Sequence, residues 1–135
     1  MLGPRCAVAG ASGGALSHRS RPLAQGYARR VATADLTVLA LGRRGASASE
    51  YIAEIQRRLR AQERVGYRMH AMGTSLEGST EDILSLVAEL HSVPFDQGIP
   101  RVYTVLKLDE RRDRPDQSLN DKVRAVEERL ARDAG

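Results

Sequence analysis

The chain has 135 residues, 41% of them hydrophobic, which is enough for one domain with a real core and too little for a second. Its formal charge of +4 is unevenly placed: residues 1–34 hold five Arg and no acid, leaving 16 basic against 17 acidic groups, or −1, in the remainder. The basicity is therefore no argument for a nucleic-acid binder, and no apolar run approaches the roughly 20 residues that a bilayer-spanning helix needs.

Residues 1–33 are rich in Gly, Ala, Ser and Arg and lack acids. They read as a disordered leader or an organellar transit peptide, so the expected location is cytoplasmic, with mitochondrial as the alternative if the leader targets the chain. The single cysteine, Cys6, lies in this leader, which excludes an internal disulfide and a CxxC metal clip. The folded domain is expected over residues 34–135.

Residues 35–41, DLTVLAL, form a short β-prone run ended by Gly42 and read as a first strand, apolar on both faces. Ser47 and Glu50 have the spacing of a capping box, opening a helix from about Ser49 to Gln62 with Ile52, Ile55 and Leu59 on its core side. Gly66 stops it. Tyr67–Met72 then reads as a strand, interrupted at Gly73, with Thr74–Glu77 pairing back as a second. Ser79, with Asp82 three residues on, caps a helix with an Ile83, Leu86, Val87, Leu90 stripe, which VPFDQGIP (93–100) is expected to end. RVYTVLKL (101–108) is the most strand-like segment. After the charged turn, Ser118 starts a last helix with Val123, Val126 and Leu130 on one side.

The order β-α-β-β-α-β-α predicts an α+β fold, a ferredoxin-like sandwich whose right-handed crossovers place helices on one face of an antiparallel sheet. The other face is left bare, although the outer strands are apolar on both sides. A third helix, another copy of the chain, or both should cover it, so a homo-oligomer is expected.

Candidate chemistry is sparse. None of the three histidines has a second ligand at zinc spacing, and no nucleophile, P-loop or dinucleotide motif occurs, so neither a metal site nor an enzyme is expected. His70 should point to the face opposite Met69, beside Arg68 and Met72, as a packing or interface residue, with a ligand contact as the alternative. In MGTSLEG (72–78), Gly73 can kink the backbone, Thr74 can donate and accept, Glu77 offers a carboxylate and Met72 can lie against a ring. That set suits a small cationic heterocycle, and equally a plain hairpin with a capping acid. In KLDERRDR (107–114), Lys107 and Asp109 project to one side; the turn that follows could hold a phosphate or a neighbouring subunit, or be a solvated turn pairing its own ions.

Taken in order, ADLTVLALG, SEYIAEI, YRMHAMGTSLEGS, DERRDR and LNDKVRAVEERL resemble the small thiamine-binding protein family over about residues 34–131. The resemblance implies a ferredoxin-like domain, a dimer-of-dimers assembly, and binding of thiamine or a similar pyrimidine at subunit contacts. It marks Thr74 and Glu77, then Arg112 with Asp113, and the start of the last helix at Asp121, Lys122 and Val123. The chain departs from the pattern in its first loop, where bulky Arg43 and Arg44 replace small residues and put a ligand contact by that loop in doubt.

The expected function is non-enzymatic binding of a thiamine-like ligand, held rather than used as a cofactor. Glu77 or Asp35 would meet its positive charge, Thr74 or Thr104 its aminopyrimidine, and Met72 and Tyr103 its ring face. The alternative is an oligomeric structural or regulatory module without a small ligand. An RNA-binding domain is disfavoured, because one Phe and no Trp give no paired aromatic platform.

Overall fold

The computed structural model describes residues 30–45 and 47–134; most of the leader expected at 1–33 lies outside this range. The elements are β1 (Ala32–Leu41), α1 (Ser49–Arg60), β2 (Gly66–His70), β3 (Gly73–Gly78), α2 (Thr80–Asp96), β4 (Arg101–Glu110) and α3 (Leu119–Asp133). All neighbouring strands are antiparallel, in the order β2-β3-β1-β4, which is the ferredoxin-like arrangement expected from the element order.

The period of two along β1 divides its residues between two environments. Ala32, Ala34, Leu36, Val38 and Ala40 are buried beneath α1 and α2, where they meet Tyr51, Ile55 and Leu59 of the first helix and Ile83, Leu86, Leu90 and Val93 of the second. Apolar positions repeating every three to four residues explain both helices, since each buries one stripe on the sheet. Thr33, Asp35, Thr37, Leu39 and Leu41 face the other way. The register carries that open face across the sheet: Ser75 and Lys107 lie opposite Asp35, Glu77 and Asp109 opposite Thr33, and Tyr103 opposite Leu39.

Three local expectations are revised. The Ser47–Glu50 capping box does not form: Ala48 is the N-cap and makes no side-chain cap bond, while the Ser47 hydroxyl sits 3.0 Å from that of Ser49. α2 ends inside 93–100 as expected, but Pro94 is not the stop and is buried in its last turn. The helix closes one residue pattern later, with Gly98 in the left-handed region (φ 77°), its N–H donating to the Phe95 carbonyl and that of Ile99 to Pro94, a Schellman motif. Gly73 is not at positive φ. It heads β3, and a side chain there would meet the Leu36 carbonyl at 2.6 Å, so glycine is required by close approach.

α3 has no buried residue; Val123, Val126 and Leu130 are 54%, 60% and 63% exposed. Only its first turn is tied down, on the open face. The Leu119 N–H donates to Glu77 Oε2 (3.0 Å), Lys122 Nζ to Thr33 Oγ1 (2.6 Å) and to Asp109, and Arg68 to Asn120 (2.9 Å). Among the described residues, the helix therefore leaves Leu39 (41%) and Tyr103 (55%) exposed.

Ser118 and Asp121 complete the expected cap as a reciprocal box, with the Ser118 hydroxyl accepting from the Asp121 N–H and the Asp121 carboxylate accepting from Ser118. The Ser118 backbone N–H and hydroxyl hold the Asp121 carboxyl below the ordinary aspartate range. A depressed carboxyl stabilises the fold above its unfolded value and loses that contribution as pH falls through its folded value. Protection of the amides in the first turn of α3, relative to their intrinsic exchange at each pH, should thus fall as pH drops below about 4. Ser118→Ala should speed their exchange severalfold already at neutral pH, as expected for a cap worth about 1 kcal/mol. Hydrogen exchange read by mass spectrometry checks both.

Candidate functional site

The two sides of the sheet sort the expected ligand residues into separate groups. Thr74 and Thr104 lie on the helix side. Gln56 Nε2 donates to Thr74 Oγ1 at 3.1 Å, and Thr104 Oγ1 lies 2.7 Å from His91 Nδ1, whose ring meets Phe95 edge-on at 5.6 Å. Both hydroxyls thus join the sheet to its helices.

Asp35, Glu77 and Tyr103 lie on the open side. Three residues apart on one strand, Thr74 and Glu77 cannot converge on one ligand within a chain. Both are buried, at 5% exposure each, but on opposite faces. Glu77 sits beneath the start of α3, where its carboxylate accepts from the Leu119 N–H.

Asp35 is the centre of the open face. Its Oδ1 lies 2.8 Å from His70 Nε2 and its Oδ2 3.8 Å from Lys107 Nζ, with side chains of His70 and Asp35 still 40% and 36% exposed. His70 comes from β2 and Asp35 from β1, with β3 between them. The imidazole crosses β3 over Gly73, where a side chain would stand 3.3 Å from His70 Cε1 and 3.0 Å from Thr37 Oγ1. The missing Cβ is what opens that path.

The Met72 N–H donates to His70 Nδ1 at 3.4 Å, so in the neutral ring Nε2 carries the proton and donates to Asp35. Thr37 Oγ1 donates to the Met72 carbonyl at 3.2 Å and pins the hairpin tip to β1. Met72 itself is 80% exposed at that tip. A carboxylate steadied by an imidazole N–H, with the Ser75 and Thr37 hydroxyls on the same face, can accept from an amino group or face a cation. Sequence reasoning missed Ser75, Thr37 and Lys107 in this role and offered His70 a ligand contact only as an alternative. The parity of His70 with Arg68 put it on the correct face, but nothing local revealed Asp35 as its partner.

Arg112 and Asp113 occupy the turn after β4. Asp113 pairs with Arg111 rather than Arg112: Arg111 Nε donates at 3.0 Å to Oδ1 and its Nη2 to Oδ2. That guanidinium holds the Asp113 carboxyl below its usual range, and the carboxylate raises Arg111 in return. Arg112 lies 3.8 Å from Glu110. In the first loop, Arg43 folds back over the Tyr51 ring at 5.7 Å, away from the open face. A shallow crevice forms where β1, β4 and α3 meet, lined by Val31, Thr33, Asp109, Arg111, Arg114, Gln117 and Lys122. Among the described residues no group of three His, Cys, Asp or Glu side chains could hold a metal ion, and no helix is long and apolar enough to cross a membrane.

A ferredoxin-like sheet covered by helices on one side, with a carboxylate-centred polar patch on the other, defines a small α+β domain. The chain belongs to the thiamine-binding protein family, whose profile matches residues 34–127. A UPF0045 protein from Staphylococcus xylosus is 41% identical over 103 residues, covering 74% of this chain and 95% of its own. Another, from Methanothermobacter thermautotrophicus, is 39% identical over 99 residues, covering 73% and 98%. A hypothetical protein of Methanocaldococcus jannaschii superimposes with a TM-score of 0.65 at 32% identity, covering 73% of this chain and 98% of that one. A Thermotoga maritima protein, provisionally placed in thiamine biosynthesis or salvage, shares the fold with a TM-score of 0.58 at 20% identity, covering 71% and 98%.

Proposed function

We propose that this protein is a non-enzymatic binder of thiamine or a related cationic aminopyrimidine, held on the open face of the sheet around Asp35 and enclosed when copies of the chain assemble. The observation that carries the reading is the Asp35 carboxylate, fixed by His70 and left part-exposed at the middle of an uncovered sheet. A unit positive charge 4 Å from such a carboxylate gains about 4 kcal/mol at a near-surface dielectric, before the cost of desolvation. Lys107, mostly solvent-exposed and 3.8 Å away, can swing aside to admit it.

Ser75 and Thr37 are then the donors and acceptors for the pyrimidine, and Thr74 and Thr104 steady the strands from behind. Tyr103 lies four residues from Lys107 along β4, about 13 Å away. It reaches such a ligand from a partner copy more readily than from its own. A dimer of dimers through the open faces would supply that copy and hide Leu39, Leu41 and Tyr103. We place the protein in the cytoplasm, or in mitochondria if residues 1–33 serve as a transit peptide.

Calorimetric titration with thiamine should give a saturable heat, and Asp35→Asn should weaken binding at least tenfold, about 1.4 kcal/mol. No heat at millimolar thiamine removes the proposal. The second reading, an assembly module with no small ligand, is favoured by the exposed α3 stripe of Val123, Val126 and Leu130, which serves assembly whether or not a ligand is present.

A further inference from the structure

The crevice at the foot of α3 makes chemical sense as an anion site. Its cations come from separate pieces of chain: Arg111 and Arg114 from the turn after β4, and Lys122 from α3. Thr33 contributes a hydroxyl and Gln117 an amide. We infer that this crevice takes the phosphate of a phosphomonoester whose cationic ring lies at Asp35, so that the preferred ligand is the phosphorylated form; the inference rests on the function proposed above.

Two carboxylates now neutralise the crevice, and both are easily displaced. Asp113 engages the Arg111 fork with its side chain 65% exposed, and Asp109 engages Lys122 at 59% exposure. Water competes for both exposed pairs, so exchanging them for a dianion sacrifices little. The Arg111–Asp113 contact also displays the geometry required. Nε and Nη2 already address two oxygens of one anion, and Asp113 stands where two phosphate oxygens would sit. Lys122 donates to Thr33 Oγ1 at 2.6 Å and so holds its ammonium over the end of β1. Glu77 lies opposite Thr33, but its charge is turned toward the Leu119 N–H.

Spacing joins the two ends into one site. Thr33 and Asp35 are alternate residues of β1 on the same face, about 7 Å apart along the strand. A ring bearing a phosphorylated two-carbon arm bridges such a separation, with its positive charge at the carboxylate and its negative charge at the cations.

The full chain should be titrated with thiamine, with its phosphate monoester and with inorganic phosphate, beside an Arg111→Gln, Arg114→Gln double variant. Both positions lie in an exposed turn, and circular dichroism confirms that the fold is kept. The monoester should bind at least tenfold tighter than thiamine, and the variant should lose that advantage while its thiamine affinity stays unchanged. Equal affinities of thiamine and monoester overturn the crevice assignment alone. Inorganic phosphate binding as tightly as the monoester shows that the two ends do not act as one site and overturns the inference. Failure of both organic ligands overturns it together with the proposed function.

Discussion

Gly73→Ala should destabilise the domain by about 1–3 kcal/mol, the usual cost of forcing a methyl group into filled space. The obstacle is the Leu36 carbonyl oxygen at 2.6 Å from the new Cβ, and this is backbone, which no rotamer change can move. Relief requires β3 to shift away from β1 at the centre of the sheet. The same Cβ would close on His70 Cε1 and Thr37 Oγ1, so the His70–Asp35 contact should be lost as well. His70→Ala is the control: it removes the imidazole without crowding the strands and should cost less than 1 kcal/mol, as for other part-exposed polar contacts. Urea unfolding of the two variants, with His70 ring resonances followed by NMR in Gly73→Ala, separates the effects. An unchanged midpoint and an unshifted imidazole in Gly73→Ala would refute the close-approach argument.

The second large effect is expected in assembly. Leu39 and Tyr103 lie directly opposite one another on β1 and β4 and are exposed within one chain, so Leu39→Glu with Tyr103→Glu leaves the internal core untouched. If copies meet through this face, each side chain is worth about 1.5–3 kcal/mol when fully buried. Two-fold symmetry repeats the loss on the partner. The double variant should therefore dissociate at least a hundredfold more readily and sediment as a monomer at micromolar concentration, where the unaltered protein is expected to sediment as an oligomer. A monomeric unaltered protein at that concentration would remove assembly through the sheet, and the enclosure of the ligand with it.

The parts of the fold that could be read from the chain are those in which cause and effect are near neighbours. Ser79 and Ser118 cap their helices because the acceptor and the amide it serves are three residues apart, a distance the helix itself sets. The Ile83, Leu86, Leu90 stripe follows from the helical period in the same way. Ser47 failed as a cap although its spacing was correct, because the loop enters α1 through Ala48 and the Ser47 hydroxyl is turned to Ser49. The segment 93–100 ends α2 as read, through Gly98, while Pro94 falls in the last turn and is buried against the core. The separation of Thr74 from Glu77 was present in the period of two, but chemical resemblance to a ligand set masked it.

By itself, then, the amino-acid sequence determined the element order, the serine caps of the last two helices and the buried stripes, since all of these depend on contacts within a few residues. Only the tertiary structure decided that Asp35 is held by His70, that Glu77 anchors α3, and that Arg111, Arg114 and Lys122 gather around Thr33. Those partners stand 35, 42 and 78 to 89 residues apart in the chain, and their meeting is set by strand register, which no local pattern encodes.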